Sequence, residues 1–306
     1  MYLADLHCDT ADELFSRRES LYHNNLQLSL DKVREAGIDR FVQLTAVFTD
    51  TRVSDSEGWD RFFRIRQNLI CECEKYGVSI VRSGSELACS GSADTFILTV
   101  EDARILCGDL SRVDLLYDYG VCVITPLWGG LTCVGGAHDT DEGLTEFGRA
   151  AVARMCRVGI VPDISHSSFR AADEIMDICE EYGVAPIATH MNSWSVCGHS
   201  RNLTDDRYLR LTSLGGIVGL SLCPKHLGGD GGVDAVMRHY LHYRELCPGR
   251  IALGCDLDGT TTVPSLADIR DVRKIGRAME ESGIPDAERE SFLYGAAYGF
   301  LTKNIK

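Results

Sequence analysis

Eight short runs of apolar residues, rich in Val, Ile and Leu, recur at fairly even intervals along the chain. Most of them are continuously apolar rather than alternating, which is typical of parallel strands that helices cover on both faces. The pattern predicts eight strands, at Tyr2–Asp9, Arg40–Phe48, Phe96–Glu101, Val121–Trp128, Gly159–His166, Ala185–His190, Gly216–Cys223 and Arg250–Asp256.

The segments between these runs show the three-and-four spacing of amphipathic helices. Apolar positions repeat in this way over Trp59–Cys73, Leu144–Val158 and Phe169–Cys179, and a glycine follows each segment as a stop signal. The sequence at 203–206 predicts the start of another helix, and the spacing over 236–247 predicts one more.

Strand and helix alternate along the chain, and the tail from about 267 to 303 adds helical segments without strands. No repeat, linker or low-complexity run interrupts this order, so we predict a single domain over residues 1–306. The alternation predicts an α/β fold, and the number of strands favours a (β/α)₈ TIM barrel. A doubly wound open parallel sheet is the alternative.

Charge and composition narrow the range of partners. The 306 residues include 31 Lys and Arg against 45 Asp and Glu, a net charge of −14, with no basic run, which argues against a nucleic-acid partner and favours a small-molecule substrate. No run is long enough for a membrane span, and the first residues do not resemble a signal peptide. The 13 cysteines, many inside apolar runs, fit reduced thiols and a cytoplasmic protein.

Chemically reactive side chains cluster where the predicted strands end. The carboxyl ends of barrel strands meet on one rim, where barrel enzymes gather their active sites. Three histidines and several carboxylates buried together there would be costly unless metal ions or protons balance their charge. The residues concerned are His7, Asp9, Glu101, Asp163, His166, His190 and Asp256.

This set of side chains predicts a metal site. Imidazole and carboxylate groups without a cysteine cluster suit zinc or a similar divalent ion. Five ligands exceed the needs of one tetrahedral catalytic site, so two ions that share a carboxylate are expected, with a bridging hydroxide as nucleophile. The five ligands are His7, Asp9, Glu101, His166 and His190, and Asp256 is then the best candidate for a proton shuttle.

The sequence resembles the membrane (renal-type) dipeptidases, zinc dipeptidases within the amidohydrolase-like hydrolases, over nearly its whole length. The resemblance lies in these stretches: Asp-Leu-His-Cys-Asp at 5–9, Thr-Val-Glu at 99–101, Gly-Leu-Thr-Glu-Phe-Gly-Arg at 143–149, Val-Pro-Asp-Ile-Ser-His at 161–166, Ala-Thr-His at 188–190, Arg-Asn-Leu-Thr-Asp-Asp at 201–206 and Gly-Cys-Asp-Leu-Asp-Gly at 254–259.

The resemblance implies a binuclear zinc centre on a barrel of the metal-dependent hydrolase type. It places His7 and Asp9 on one ion, His166 and His190 on the other, and Glu101 between them as the bridging catalytic carboxylate. Asp256 matches the family's acid/base, and Arg201 matches the residue that binds the terminal carboxylate of the substrate. The implied substrates are dipeptides, including some with a D-residue at the C-terminal position, and a homodimer is the family's habit.

The sequence departs from the family pattern beside the expected site. Trp128 stands where vertebrate-type enzymes have a histidine that polarises the scissile carbonyl, so either the metal acts alone or His138 enters from the following loop. Asp102 stands where glycine is common. His199 is interpreted as a rim residue, and four further histidines as surface or core residues: His23, His226, His239 and His242.

Two other functions fit the same pattern of residues. One is another amidohydrolase-type hydrolysis, of an N-acyl amino acid, a lactone or a phosphoester, because a fold alone does not select among these reactions. The other is a metal-binding barrel without catalysis. Arg201 favours a substrate with a carboxylate, and Asp256, which a purely structural zinc site does not need, argues for catalysis.

Overall fold

The computed structural model describes residues 1–49 and 54–306, and within them nine β-strands. All strand pairs are parallel, as the continuous apolar runs predict. The strands are β1 (Tyr2–Cys8), β2 (Arg40–Phe48), β3 (Ser79–Ile80), β4 (Asp94–Glu101), β5 (Val123–Thr125), β6 (Val161–Pro162), β7 (Ile187–Ala188), β8 (Ile217–Leu220) and β9 (Ile251–Leu253).

Eight of these strands form a nearly closed barrel. Their order is β6-β5-β4-β2-β1-β9-β8-β7, and a parallel bridge between Asp163 and Ile187 joins the two ends. The predicted barrel is confirmed, and the open-sheet alternative is wrong because neighbours in space follow chain order around a ring. Strand β3 was not predicted and pairs only with the beginning of β4, outside the ring.

Helices surround the barrel, and those predicted from the apolar spacing and from the sequence at 203–206 are all present, whereas the helices at 10–17, 30–35, 84–89, 111–118 and 224–227 were not predicted. None of those in the described part of the chain is long and apolar enough to cross a membrane. They are α1 (Thr10–Arg17), α2 (Leu30–Glu35), α3 (Asp55–Tyr76), α4 (Gly84–Cys89), α5 (Ser111–Asp118), α6 (Glu146–Val158), α7 (Phe169–Tyr182), α8 (Asp205–Ser213), α9 (Pro224–Leu227), α10 (Val233–Leu246), α11 (Val272–Glu281), α12 (Asp286–Glu290) and α13 (Ala296–Asn304).

Local capping explains the helix ends. The Thr145 hydroxyl accepts a hydrogen bond from the Gly148 amide at 2.9 Å at the start of α6, and the Ser168 hydroxyl accepts one from the Ala171 amide at 3.0 Å at the start of α7. These bonds satisfy amides that have no partner inside the helix. Gly159 ends α6 with a φ of 105°, a conformation that favours glycine.

A β-bulge in β1 determines where the first candidate ligands point. Asp5 and Cys8 are three residues apart on β1, but their partners on β2 are only two apart, at positions 43 and 45. The extra residue breaks the strict alternation of side chains along the strand. His7 consequently faces the barrel interior, as Leu6 does, and Asp9 follows on the same side.

Apolar side chains fill the amino-terminal half of the barrel and leave the other half to polar groups. Helix α13 closes the amino-terminal end with Phe300 and Leu301, together with Ile305 just after the helix, and all three belong to the same cluster. The interior positions of this cluster are Ala4, Leu6, Val42, Leu44, Ile97, Val123, Val161, Ile187, Ile217 and Ala252. Because the core ends there, the candidate site lies on a packed floor at the carboxyl ends of the strands.

Two glycines allow β8 and β9 to lie close to the backbone of the segment that carries His190. A Cβ atom at Gly254 would lie 1.8 Å from the Thr189 carbonyl oxygen, and one at Gly219 would lie 2.1 Å from the same oxygen. Both positions face fixed backbone rather than a flexible side chain. The barrel therefore has no room for even one methyl group at either position.

We expect Gly254→Ala to lower the free energy of unfolding by at least about 2 kcal/mol, because overpacking forces the backbone to move. Gly91→Ala is the matched control, since nothing lies within 4 Å of a Cβ atom there. Urea unfolding followed by circular dichroism measures both variants. Equal stability of the two variants would contradict the close approach.

Candidate metal centre and active site

The structure brings the five predicted ligands together at the carboxyl end of the barrel. The Oε1 atom of Glu101 lies 3.0 Å from His166 Nε2, 3.4 Å from His190 Nε2 and 3.7 Å from His7 Nε2. Asp9 Oδ2 lies 3.4 Å from His7 Nε2. One carboxylate oxygen thus lies among the three imidazoles, which is the position of a bridging ligand.

These atoms fit divalent metal ions. The Nε2 atoms of His166 and His190 lie 2.9 Å apart and point into the same space. Among the described residues, His7 Nε2, Asp9 Oδ1 and Glu101 Oε1 are buried without a hydrogen-bond partner. Buried polar atoms are normally paired, so an inward-facing set of unpaired nitrogen and oxygen atoms indicates cations between them.

Burial and charge set the protonation of the histidines. Burial lowers the pKa of His166 and of His190 well below the usual value, and the Arg201 guanidinium lowers both further. These two imidazoles are therefore neutral, the form that binds a metal. Burial acts in the same direction on His7, but the Glu101 and Asp9 carboxylates outweigh it and raise the pKa of His7 to about 10.

Hydrogen bonds orient the two neutral histidines. The Nδ1 atom of His166 donates to the Trp128 carbonyl at 2.9 Å. The Nδ1 atom of His190 lies 2.8 Å from the Thr189 hydroxyl, which itself donates to Asp163 Oδ2 at 2.5 Å. Each contact leaves the Nε2 lone pair facing the centre, as in most metal-binding histidines.

Asp163 connects the strand ends in this part of the rim by hydrogen bonds and is not itself placed among the candidate metal ligands. Its buried carboxylate accepts hydrogen bonds from the Ser165 amide at 2.9 Å, the Thr189 amide at 3.0 Å and the Thr125 hydroxyl at 2.7 Å. It therefore connects the ends of β5, β6 and β7. The sequence showed Asp163 at a strand end, but its geometry is that of a positioning residue.

Several site residues lie beyond the strands rather than within them. The regular strands β5, β6, β7 and β9 end before Trp128, His166, His190 and Asp256, so the predicted runs were too long at their carboxyl ends. His166 and Asp256 have φ angles of 65° and 61°, values that non-glycine residues seldom adopt. This strained backbone turns the side chains onto the rim instead of continuing the strands.

Asp256 lies beside His7 and Asp9. Its Oδ1 atom is 3.9 Å from His7 Nε2, and burial together with the Asp9 and Glu101 carboxylates raises its pKa to about 8. A Cβ atom at Gly259 would lie 2.0 Å from Asp9 Oδ2 and 2.5 Å from Asp256 Oδ1, so this loop packs directly on the two carboxylates. The arrangement provides a carboxyl group that can carry a proton near neutral pH.

Arg201 lies in the same cleft, which has a volume of about 430 Å³. The side chain is 2% exposed, and its Nη1 atom has no hydrogen-bond partner among the described residues. A buried guanidinium with a free donor is suited to a carboxylate. The predicted position of Arg201 at the substrate site agrees with this geometry.

Trp128 and His138 both line the cleft. The Trp128 ring stacks over His166 with ring centroids 5.9 Å apart, and the His138 ring lies 6.0 Å from His166 in an edge-on arrangement. His138 Nδ1 is 3.0 Å from the Ser200 hydroxyl. The loop after β5 thus brings His138 into the cleft, beside His166.

Asp102 helps to hold this loop in position. It has a φ of 72°, which explains why glycine suits the position, and its carboxylate accepts a hydrogen bond from Arg104 Nε at 2.6 Å. Arg104 Nη2 in turn donates to the Gly129 carbonyl at 3.1 Å. The ion pair therefore connects the residue after Glu101 to the residue after Trp128.

The structure places the four histidines that were predicted to be surface or core residues in different environments. His23 is exposed, and His239 is buried in the core, where its Nε2 is 3.0 Å from the Leu227 carbonyl. His242 is half-buried and lies 2.8 Å from Asp205. His226 was assigned wrongly, because it lines the cleft beside the rim residue His199.

Lys225 also lines the cleft, and the sequence analysis did not single it out. Lys225 and His226 follow the seventh predicted strand, just beyond Cys223. A lysine and a histidine shortly after a predicted strand are the signal in the sequence that points to both residues.

Solved structures share this fold over their whole length. A metallo-peptidase of family M19, described as dipeptidase AC, matches with a TM-score of 0.91 at 23% identity and covers 100% of this chain and 99% of its own. A metallo-peptidase from Rhodobacter sphaeroides, liganded with a phosphinate mimic of the dipeptide L-Ala-D-Ala, matches with a TM-score of 0.89 at 23% identity, with 99% of both chains covered. At this identity the comparison shows a common fold.

Sequence comparison shows the family. An uncharacterized protein of Klebsiella pneumoniae is 26% identical over 210 residues, which are 64% of this chain and 76% of that protein. Further curated relatives, among them a dipeptidase of Aspergillus oryzae, are matched over about half of their length or less. The model of the membrane dipeptidase family, peptidase family M19, matches residues 1–296, and the chain therefore belongs to this family.

Proposed function

We propose that this protein hydrolyses dipeptides at a centre of two zinc ions. The observation that carries the proposal is the position of Glu101 Oε1, unpaired and within 3.7 Å of three histidine nitrogens. Family membership supports the dipeptidase reaction, and the fold match to a structure liganded with a dipeptide mimic supports the substrate class. Two ions are proposed because four further ligands surround the carboxylate of Glu101, which makes five ligands in all.

The ligands divide between the two ions. In this proposal His7 and Asp9 would hold one ion, His166 and His190 would hold the other, and Glu101 would contribute to both. When bound, such ions polarise a carbonyl group and activate water for attack at neutral pH. Asp163, Thr189 and the Trp128 carbonyl fix the ring orientations on the second ion, and the bulge in β1 directs His7 to the first.

Arg201 determines how the substrate lies. Its guanidinium binds the C-terminal carboxylate of the dipeptide, which leaves the peptide bond over Glu101 and Asp256. Burial strengthens this contact because water does not compete for the charged groups. A substrate without a terminal carboxylate would leave the Arg201 charge buried and unpaired, which disfavours simple lactones and esters.

Asp256 carries the proton. Its raised pKa allows the carboxyl group to take a proton from the attacking water and to give one to the leaving amine. His138 is the side chain placed to donate to the developing oxyanion, since its Nδ1 contact with Ser200 leaves Nε2 available. Trp128 then packs over His166 and excludes water from that side.

A cytoplasmic location belongs to the same proposal. Buried thiols such as those of Cys8 and Cys255 lie against the barrel, and burial raises the pKa of both well above the usual value. Such inert thiols are compatible with a reducing compartment. The homodimer suggested by the family resemblance stays a prediction.

Asp256→Asn should leave metal content close to wild type and lower kcat by about 10²- to 10⁴-fold, because the amide cannot transfer the proton. Elemental analysis and steady-state hydrolysis of an alanyl dipeptide measure the two quantities. Unchanged turnover would remove Asp256 from the proton-transfer role, and loss of metal would make it a ligand instead.

Arg201→Ala should raise KM for dipeptides by about 30-fold or more, because a buried charge-assisted contact with the terminal carboxylate is lost. Arg17→Ala is the matched control, since Arg17 is exposed and its one ion pair with a described residue is with Glu13 of its own helix. Equal KM values for the two variants would place Arg201 outside the substrate site. A dipeptide amide should show little difference between wild type and Arg201→Ala.

A further inference from the structure

One wall of the cleft is built from basic side chains. The His199 ring lies 6.5 Å from the His138 ring and 4.8 Å from the His226 ring, so the three imidazoles form a continuous arc. Arg201 and Lys225 line the same cleft. In a protein with a net charge of −14, this grouping gathers two positive charges, on Arg201 and Lys225, beside three imidazoles.

The imidazoles of the arc are neutral, and each neutral ring carries one N–H group. Burial lowers the pKa of His226 to about 2 and also lowers the pKa of His199, and Arg201 lowers both further. The backbone amide of Arg201 donates to His199 Nδ1 at 3.1 Å, so the proton of that ring is on Nε2. His226 Nδ1 is buried and has no hydrogen-bond partner among the described residues.

Lys225 adds a positive charge at the mouth of the cleft. It is exposed at the start of α9, and none of the described carboxylates forms an ion pair with it. Asp139, which also lines the cleft, accepts a hydrogen bond through Oδ1 from the Gly130 amide at 2.8 Å. The other carboxylates of the lining, Asp9, Glu101 and Asp256, belong to the candidate metal centre, so Lys225 has no ion-pair partner among the described residues.

The proposed orientation of the substrate indicates which part of a dipeptide contacts this wall. With the terminal carboxylate on Arg201 and the peptide bond over Glu101, the side chain of the C-terminal residue extends past Arg201 toward His199. Neither an apolar nor a basic side chain would satisfy the unpaired donors there. A second carboxylate would satisfy them and would pair with Lys225.

We propose that His199, Lys225 and His226 form a second anion-binding subsite, which selects dipeptides whose C-terminal residue is aspartate or glutamate. The inference rests on the proposed dipeptidase function and names its preferred substrate class. Arg201 binds the main-chain carboxylate of such a substrate, and the subsite binds the side-chain carboxylate.

The test compares kcat/KM for Ala-Glu with kcat/KM for the neutral isostere Ala-Gln on the zinc-loaded enzyme. Both dipeptides are prepared with the L- and the D-isomer at the second position. Glu-Ala, which carries its side-chain carboxylate on the N-terminal residue, is the control substrate. The variants are Lys225→Gln and, as a control of equal charge change, Lys303→Gln on the exposed face of α13 near the opposite end of the barrel.

We expect wild type to favour Ala-Glu over Ala-Gln by about tenfold in the isomer that it cleaves faster, a factor typical of charge-assisted contacts. Lys225→Gln should lower this ratio by about three- to fivefold, as an exposed ion pair does. Lys303→Gln should keep the wild-type ratio, and His226→Phe should lower it while the protein keeps its zinc.

Three results would overturn the subsite. A wild-type ratio near one with good cleavage of Ala-Gln would leave the dipeptidase function intact and remove the acidic preference. Equal effects of Lys225→Gln and Lys303→Gln, or a preference for Glu-Ala, would show a general charge effect or a different placement. Failure to cleave any of the dipeptides would overturn the proposed function together with the subsite.

Discussion

The carboxyl-terminal half of this barrel depends on one electrostatic constraint: several ionisable groups share a small buried volume, and the cationic side chains there, His7 and Arg201, do not satisfy all of its polar atoms. Glu101 Oε1, His7 Nε2 and Asp9 Oδ1 are buried and unpaired among the described residues. Leaving such groups without partners costs several kcal/mol, of the order of the stability of a whole domain. Divalent cations remove that cost, so metal binding and stability of the rim are expected to be coupled.

The surrounding residues hold the candidate metal ligands in fixed orientations. The Asp163 carboxylate connects three strand ends and orients His190 through Thr189. The Trp128 carbonyl fixes His166, and the Asp102–Arg104 pair anchors the loop that carries Trp128. Metal ligands held in this way lose little freedom on binding, which is a condition for precise catalysis.

Most of the fold and the metal ligands could be predicted from the sequence, because buried parallel strands leave continuous apolar runs and polar residues at their ends are conspicuous. Other features depend on geometry that no local pattern encodes. The extra residue in β1 directs His7 inward, although simple alternation from Leu3 would turn it outward. The left-handed backbone at His166 shortens the strand before it. His226 was not predicted as a site residue because it lies beyond the predicted end of its strand at Cys223, in α9.

Metal content tests the central claim most directly. Elemental analysis of the purified, zinc-equilibrated protein should give about two zinc ions per chain for wild type, as a binuclear centre requires. Glu101→Gln, which keeps the shape of the bridging side chain but removes its charge, should give fewer. A wild-type protein that binds no zinc, or a single ion that Glu101→Gln does not affect, would contradict the binuclear centre on which the proposed dipeptidase mechanism depends.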